Sequence, residues 1–108
     1  MQRTDEANAL AARRAERARQ LAKIGRPVDK DDWVMTAAQV NAYYDAQLNG
    51  MVFPAGILQP PFYSVEASIP VNLGGMGVVV GHELTHGFDD QGAQYDELGN
   101  LVNWWEPD

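Results

Sequence analysis

Two histidines, the only two in this 108-residue chain, flank a glutamate in the segment His82-Glu-Leu-Thr-His86. Four residues on an α-helix turn the chain through about 400°, so His82 and His86 would face the same side, one turn apart. In a strand they would stand about 13 Å apart. Two imidazole nitrogens on one helical face are a pair that a single tetrahedral zinc ion accepts. The spacing therefore predicts a helix that carries part of a zinc site.

Glu83 is offset around the helix from both histidines, so it could reach a water molecule on the metal without being a ligand. Zinc lowers the pKa of such a water to about 7, and a carboxylate can take its proton as the water attacks a carbonyl group. The alternative, an ordinary helix with two surface histidines, predicts polar surroundings. The motif instead follows Met76 and the valines at 78–80. We therefore expect partly buried polar side chains that a metal would satisfy, with Glu83 as general base.

Two histidines do not complete a zinc site, which needs a third protein ligand. Asp89 follows His86 by three residues and is expected to hydrogen-bond the far nitrogen of a ligand. The chain has no cysteine. The third ligand is expected beyond Asp108; the alternatives are a second copy of the chain or one of the carboxylates Asp90, Glu97 and Glu106.

The charges are distributed unevenly along the chain, whose net charge is −7. All eight basic residues lie in the first thirty positions, alternating with alanine and without aromatic residues between them. This pattern indicates a solvated surface helix rather than a nucleic-acid interface. No arginine or lysine follows Lys30, so no obvious side chain in the motif region could stabilise an oxyanion. No segment has the apolar length of a membrane span, and the N-terminus does not resemble a signal peptide.

Local patterns predict a mixed α+β fold. Ala, Arg, Gln and Leu dominate residues 5–24 and favour a helix, which Gly25 and Pro27 would end. The Asn49-Gly50 pair between two β-favouring runs is the strongest short-range hairpin signal. The remaining expectations are a helical turn at 36–39, two strands within 40–53, a proline-rich loop over 54–72, the motif helix over 73–88 and a second small hairpin over 94–104.

Residues 40–44, 52–62 and 81–90 read VNAYY, VFPAGILQPPF and GHELTHGFDD. They closely resemble the neprilysin and endothelin-converting enzyme family of zinc metallopeptidases. The resemblance implies a metalloendopeptidase of the gluzincin type, with a thermolysin-like motif helix, one Zn²⁺ per site and a peptide substrate. The resemblance implies an incomplete catalytic domain over 31–108, and composition and charge indicate a basic helix and connector over 1–30 before it.

The resemblance assigns roles residue by residue. Asn41 and Ala42 match an edge segment that hydrogen-bonds the substrate backbone, which is a form of β-augmentation. The full set comprises the zinc ligands His82 and His86, the general base Glu83, the acidic partner Asp89 of the second histidine, and the substrate-binding pair Asn41 and Ala42.

Members of the family also use a glutamate in a Glu-x-x-x-Asp motif as third ligand, and further on a histidine and an arginine. None of these occurs here. We therefore expect a fragment that is inactive alone and needs the remainder of the catalytic domain, or another chain, to complete the zinc site. The alternatives are a non-catalytic zinc- or peptide-binding module and a minimal, self-sufficient peptidase. The resemblance suggests an extracytoplasmic location: secreted, periplasmic or on a membrane-anchored ectodomain.

Overall fold

The computed structural model describes residues 2–105 and begins with helix α1, Gln2–Leu21. The predicted N-terminal helix is confirmed, although it starts earlier than residue 5 and ends at Leu21. The chain leaves it through a turn in which Gly25 has a φ of 75°, a left-handed conformation that glycine adopts without steric cost. Every described side chain of α1 is exposed.

Ion pairs join the end of α1 to the connector that follows it. Arg19 contacts Glu16 at 2.9 Å within the helix and Asp32 at 2.7 Å in the connector, and Lys23 also pairs with Asp32. The hydrogen bonds from Arg19 and Gln20 lower the pKa of Glu16 to about 2. These charges are exposed, so their pairing orients the helix end more than it stabilises the fold.

The predicted hairpin is present, with shorter strands than expected. Strand β1, Tyr43–Asp45, pairs antiparallel with β2, Gly50–Val52. Asn49 in the turn has a φ of 46°, which asparagine tolerates better than most residues. Asn41 and Ala42 therefore lie just ahead of the ladder rather than in it.

The single turn predicted for 36–39 is confirmed, with Thr36 N–H also donating to Gln39 Oε1 at 3.1 Å, and it does not continue as a helix. Gln39 N–H donates to the carbonyl of Thr36 at 3.1 Å, which closes the single turn. The carbonyl of Ala37, which a helix would use for residue 41, instead accepts from Gly56 N–H at 2.8 Å. A tertiary bond from the loop after the hairpin thus replaces the helical one.

One continuous helical segment carries the histidine motif. It consists of α2 (Ile69–Asn72), a π-helical turn (Leu73–Gly77) and α3 (Val78–Thr85). The motif helix predicted over 73–88 is confirmed as far as Thr85, whereas residues 69–72 were expected to be loop. Pro70 permits this earlier start because proline is compatible with the first turn of a helix. Most of the proline-rich stretch remains irregular, apart from a 3₁₀ turn at Ala55–Ile57.

The second hairpin predicted over 94–104 is reduced to one bridge, between Tyr95 and Leu101. It follows a 3₁₀ turn at Gly92–Gln94. Gly99, with a φ of 80°, packs so closely on the backbone of Gln47 that a side chain would not fit there. The C-terminal loop is thereby seated against the turn of the first hairpin.

Few side chains are buried among the described residues. The buried set is Ala42, Pro54, Ile57, Glu83 and Ala93, whereas Val78 is 64% exposed. The radius of gyration is 18.2 Å, compared with about 13 Å for a compact domain of this length. Within residues 2–105 there is no helix with the length and apolar character needed to cross a membrane.

Candidate metal centre

His82 and His86 lie one turn apart at the end of α3 and point their Nε2 atoms at each other, 3.1 Å apart. The two rings are nearly perpendicular, with centroids separated by 4.7 Å. Two nitrogens bound at 2.0–2.1 Å to one tetrahedral zinc ion would be about 3.3 Å apart. The geometry of the pair thus fits two ligands of a single zinc ion without rearrangement of the helix.

Asp89 holds the ring of His86 from the opposite side. Its Oδ2 lies 2.9 Å from His86 Nδ1, and its Oδ1 accepts hydrogen bonds from the N–H groups of Gln91 at 3.0 Å and Gly92 at 2.8 Å. The Gly92 N–H and the His86 ring together hold the pKa of Asp89 below its usual value. An ionised carboxylate only accepts hydrogen bonds, so Nδ1 carries the ring proton and Nε2 keeps the lone pair that a metal needs.

Glu83 is 7% exposed, whereas His82 is exposed and His86 half-buried. The expectation of a buried motif is therefore wrong for His82, because no part of residues 2–105 covers that side of the helix. The last turn of the helix is fixed by Thr85, whose hydroxyl donates to the carbonyl of His82 at 2.7 Å. A buried carboxylate between two accessible imidazoles is a suitable place for a proton acceptor.

The hairpin forms the second wall of the site. Asn41 and Ala42 line the same cleft as His82, Glu83 and His86, and the cleft has a volume of about 550 Å³. The Oδ1 of Asn41 accepts from the N–H of Ala42 at 2.9 Å. The structure thus brings together residues that lie about forty positions apart in the sequence and that were singled out separately.

Asp90 and Glu97, the two alternative third ligands that the structure describes, do not join the pair. Within residues 2–105 there is no group of three or more histidine, aspartate or glutamate side chains placed to hold a metal ion. Asp90 and Glu97 are exposed and absent from the lining of the cleft. Glu106 lies outside the described residues. The described part of the chain thus presents a two-histidine site with an adjacent carboxylate.

Six lining residues were not predicted as site residues from the sequence: Tyr43, Tyr44, Ala46, Gln91, Gly92 and Tyr95. Tyr44 stands in β1 beside the helix end, and burial raises the pKa of its hydroxyl. Tyr43 and Tyr44 lie in the VNAYY segment that carries the family resemblance, but no role was assigned to them. No spacing or motif marks the other four, because their proximity to the histidines depends on how the hairpin and the C-terminal loop pack.

In this chain the two histidines of the His-Glu-x-x-His motif lie on one face of a helix, beside an extended edge segment. Zinc metallopeptidases with this motif place their two histidines in the same way. The profile of peptidase family M13 matches residues 41–108. Human neprilysin is 55% identical to this chain over 87 residues, and human membrane metallo-endopeptidase-like 1 is 53% identical over 87 residues. The chain therefore belongs to peptidase family M13.

Solved structures agree with this assignment. The zinc metalloprotease Zmp1 of Mycobacterium tuberculosis, in complex with an inhibitor, superposes with a TM-score of 0.76 at 58% identity, covering 83% of this chain and 14% of that one. The neprilysin match covers 81% of this chain and 12% of neprilysin, and the other human relative is covered to 11%. The chain thus spans about an eighth of the length of the curated relatives it matches.

Proposed function

We propose that the intact protein is a zinc-dependent metalloendopeptidase that hydrolyses internal bonds of short peptides. This chain supplies the thermolysin-like motif helix, the general base and one substrate-binding edge. The observation that carries the proposal is the convergence of His82 Nε2 and His86 Nε2, 3.1 Å apart, in the cleft that Glu83 and Asn41 also line. Family membership supports the reaction class.

His82 and His86 would hold the zinc ion, and Asp89 would orient the second of them through the 2.9 Å contact to Nδ1. When bound, zinc supplies Lewis-acid activation of water and of the scissile carbonyl group. Glu83 accepts the proton from the attacking water and can pass it to the leaving amine. Its burial keeps this carboxylate within the cleft and shields it from competing solvent.

The segment Asn41–Ala42 would bind the backbone of an extended peptide. The described contacts give the Nδ2 of Asn41 no partner within residues 2–105, so this donor can serve a peptide carbonyl. A cleft of about 550 Å³ is in the range that holds a short peptide or a drug-sized molecule. Selection for short peptides would follow from an enclosure that other parts of the intact protein provide.

The rest of the catalytic domain, or another chain, would supply the third zinc ligand. The apolar surface supports this arrangement, because Phe88, Trp104 and Trp105 are 62%, 44% and 50% exposed and their rings meet edge to face. Large apolar side chains clustered on a surface mark sites that pack against further protein. We also propose that residues 1–30 and 31–108 are separate parts of the larger protein, and that it acts outside the cytoplasm, as the resemblance suggests.

Zinc binding is the first test. In a longer chain that carries the missing parts of the catalytic domain, equilibrium dialysis against micromolar zinc, followed by metal analysis, should show one zinc per chain, and His82→Ala should abolish it. Asp90→Ala is the matched control, because it removes a nearby carboxylate outside the histidine pair and should leave the zinc content unchanged. Undiminished zinc in His82→Ala would remove the ligand assignment. Loss of zinc in Asp90→Ala would instead identify the third ligand within this chain.

A further inference from the structure

The hairpin meets the motif helix through the ring of Tyr44. This ring covers Gly87, the residue directly after His86, so closely that a Cβ at Gly87 would lie 3.1–3.3 Å from the Oη, Cζ and Cε2 atoms. Contacts at that distance are tighter than ordinary van der Waals packing. The absence of a side chain at position 87 is therefore what allows β1 to approach the end of the helix.

Asn49 then connects Tyr44 to the C-terminal loop. The hydroxyl of Tyr44 donates to Asn49 Oδ1 at 2.8 Å, and Asn49 Nδ2 donates to the carbonyl of Glu97 at 3.2 Å. The same carboxamide thus uses both ends to join the hairpin turn to a loop 48 positions away. Asn49 presents its side chain in this direction because its backbone is in the left-handed region, with a φ of 46°.

A hairpin of three residue pairs has little stability of its own and no fixed orientation. Its orientation relative to the helix must come from tertiary contacts. The Tyr44–Asn49–Glu97 chain ties the hairpin to the C-terminal loop, and Tyr44 lines the same cleft as the Asn41–Ala42 edge and the two histidines. Rotation of the hairpin about its own axis would move that edge away from the cleft.

We propose that Tyr44 and Asn49 are positioning residues that set the placement of the Asn41–Ala42 edge relative to His82 and His86. Neither side chain is assigned to the substrate, the metal or the proton transfer. Their effect on peptide binding rests on the proposed function, whereas their effect on the hairpin does not.

Residual dipolar couplings of backbone N–H groups in the 108-residue chain test the placement without metal. In the unaltered chain the couplings of β1, β2 and α3 should fit one alignment tensor. Asn49→Gly keeps the left-handed backbone but removes both hydrogen bonds, so the hairpin couplings should shrink or reorient while those of α3 persist. Tyr44→Phe, which removes only the hydroxyl, should show a smaller change in the same direction. Tyr63→Phe removes a phenol hydroxyl outside the cleft and should match the unaltered chain.

Unchanged hairpin couplings in Asn49→Gly would overturn the proposal. If that variant fails to fold, Asn49→Asp decides the matter, since it keeps the acceptor for Tyr44 and loses only the donor to Glu97. The hairpin couplings of Asn49→Asp should then be smaller than the hairpin couplings of Tyr63→Phe and larger than those of a hairpin that reorients freely. Couplings equal to those of Tyr63→Phe would overturn the proposal.

A second arm measures binding to the zinc-loaded chain. A dipeptide hydroxamate probes both metal and edge, whereas acetohydroxamate probes the metal alone. The affinity for the dipeptide hydroxamate, divided by the affinity for acetohydroxamate, should fall about tenfold in Asn49→Gly. This is the loss expected for one hydrogen bond to the peptide, and acetohydroxamate binding should be unchanged. An unchanged ratio overturns the positioning role in peptide binding. If a longer chain that carries the missing parts of the catalytic domain binds no zinc, the proposed function is refuted, and the dipolar couplings still decide the placement.

Discussion

Gly92 is the residue at which a single methyl group should be most damaging to the site. It is buried, and its backbone lies against the end of the motif helix. A Cβ built there would lie 2.6 Å from the carbonyl carbon and 2.8 Å from the oxygen of Gly87, and it would also meet the carbonyl of His86. These are backbone atoms that no rotamer change can move aside. Gly92→Ala must therefore separate the loop over 89–92 from the helix.

The expected change in the free energy of unfolding of Gly92→Ala follows from two opposing effects. Inserting a methyl group into a tightly packed position typically costs about 1–3 kcal/mol. Replacing glycine by alanine also restricts the unfolded chain, which returns about 0.4–1 kcal/mol. Because the clash is with backbone on the helix that carries the histidines, we expect the upper part of the range for the inserted methyl group. The net loss in the free energy of unfolding should be about 2 kcal/mol. For a chain of this size that corresponds to a melting temperature roughly 10 °C lower.

Gly81→Ala is the matched control, since it adds the same methyl group to the same helix. A Cβ at Gly81 meets nothing within 4 Å. Alanine in a helix interior is favoured over glycine by about 1 kcal/mol, so this variant should be more stable than the unaltered chain. Urea unfolding followed by circular dichroism at the helix band measures both. Equal stabilities, or shifts of the same sign in the two variants, would refute the reasoning.

The displacement in Gly92→Ala should also be visible at the metal centre. The N–H of Gly92 donates to Asp89 Oδ1 at 2.8 Å, and the other oxygen of Asp89 contacts His86 Nδ1. If the loop moves, the ring loses the partner that fixes its tautomer. Imidazole ¹⁵N spectra should then show a mixture of tautomers at His86 in Gly92→Ala and one tautomer in Gly81→Ala.

Three further predictions concern activity and pH. In a longer chain that carries the missing parts of the catalytic domain, Glu83→Gln should retain zinc and lose peptide cleavage; turnover above about a hundredth of the unaltered enzyme would contradict a general-base role. The 108-residue chain alone should show no zinc-dependent turnover of a fluorogenic peptide over the Glu83→Gln background, because within residues 2–105 no third ligand joins the histidine pair and no arginine or lysine lines the cleft; clear turnover would favour a minimal peptidase. Hydrogen bonds from the side chain and backbone of Asn100 lower the pKa of Asp96 below its ordinary 3.8. This contribution is complete above pH 3.8 and is lost as the pH falls through the lower, folded value, so the difference in urea midpoint between the unaltered chain and Asp96→Ala should narrow there; a constant difference would contradict it.

The sequence by itself determined the parts of the site that depend on near neighbours. The four-residue spacing of His82 and His86 required a helix for the two rings to meet, and this outweighed the strand preference of the valines before them. The Asn49-Gly50 pair placed the hairpin turn, and Asp89 was close enough to His86 to be named as its partner. These signals are local, because each acts through backbone geometry within about four residues.

Only the tertiary structure decided which distant segments share the cleft. The approach of Asn41 to the histidines depends on Tyr44 packing over Gly87, and on Asn49 reaching the carbonyl of Glu97. The turn at 36–39 stays a single turn for the same reason, since Gly56 N–H takes the carbonyl of Ala37 that a longer helix would have used. Contacts between segments tens of residues apart leave no periodicity in the sequence; they are selected by shape and hydrogen bonding once the local elements have formed.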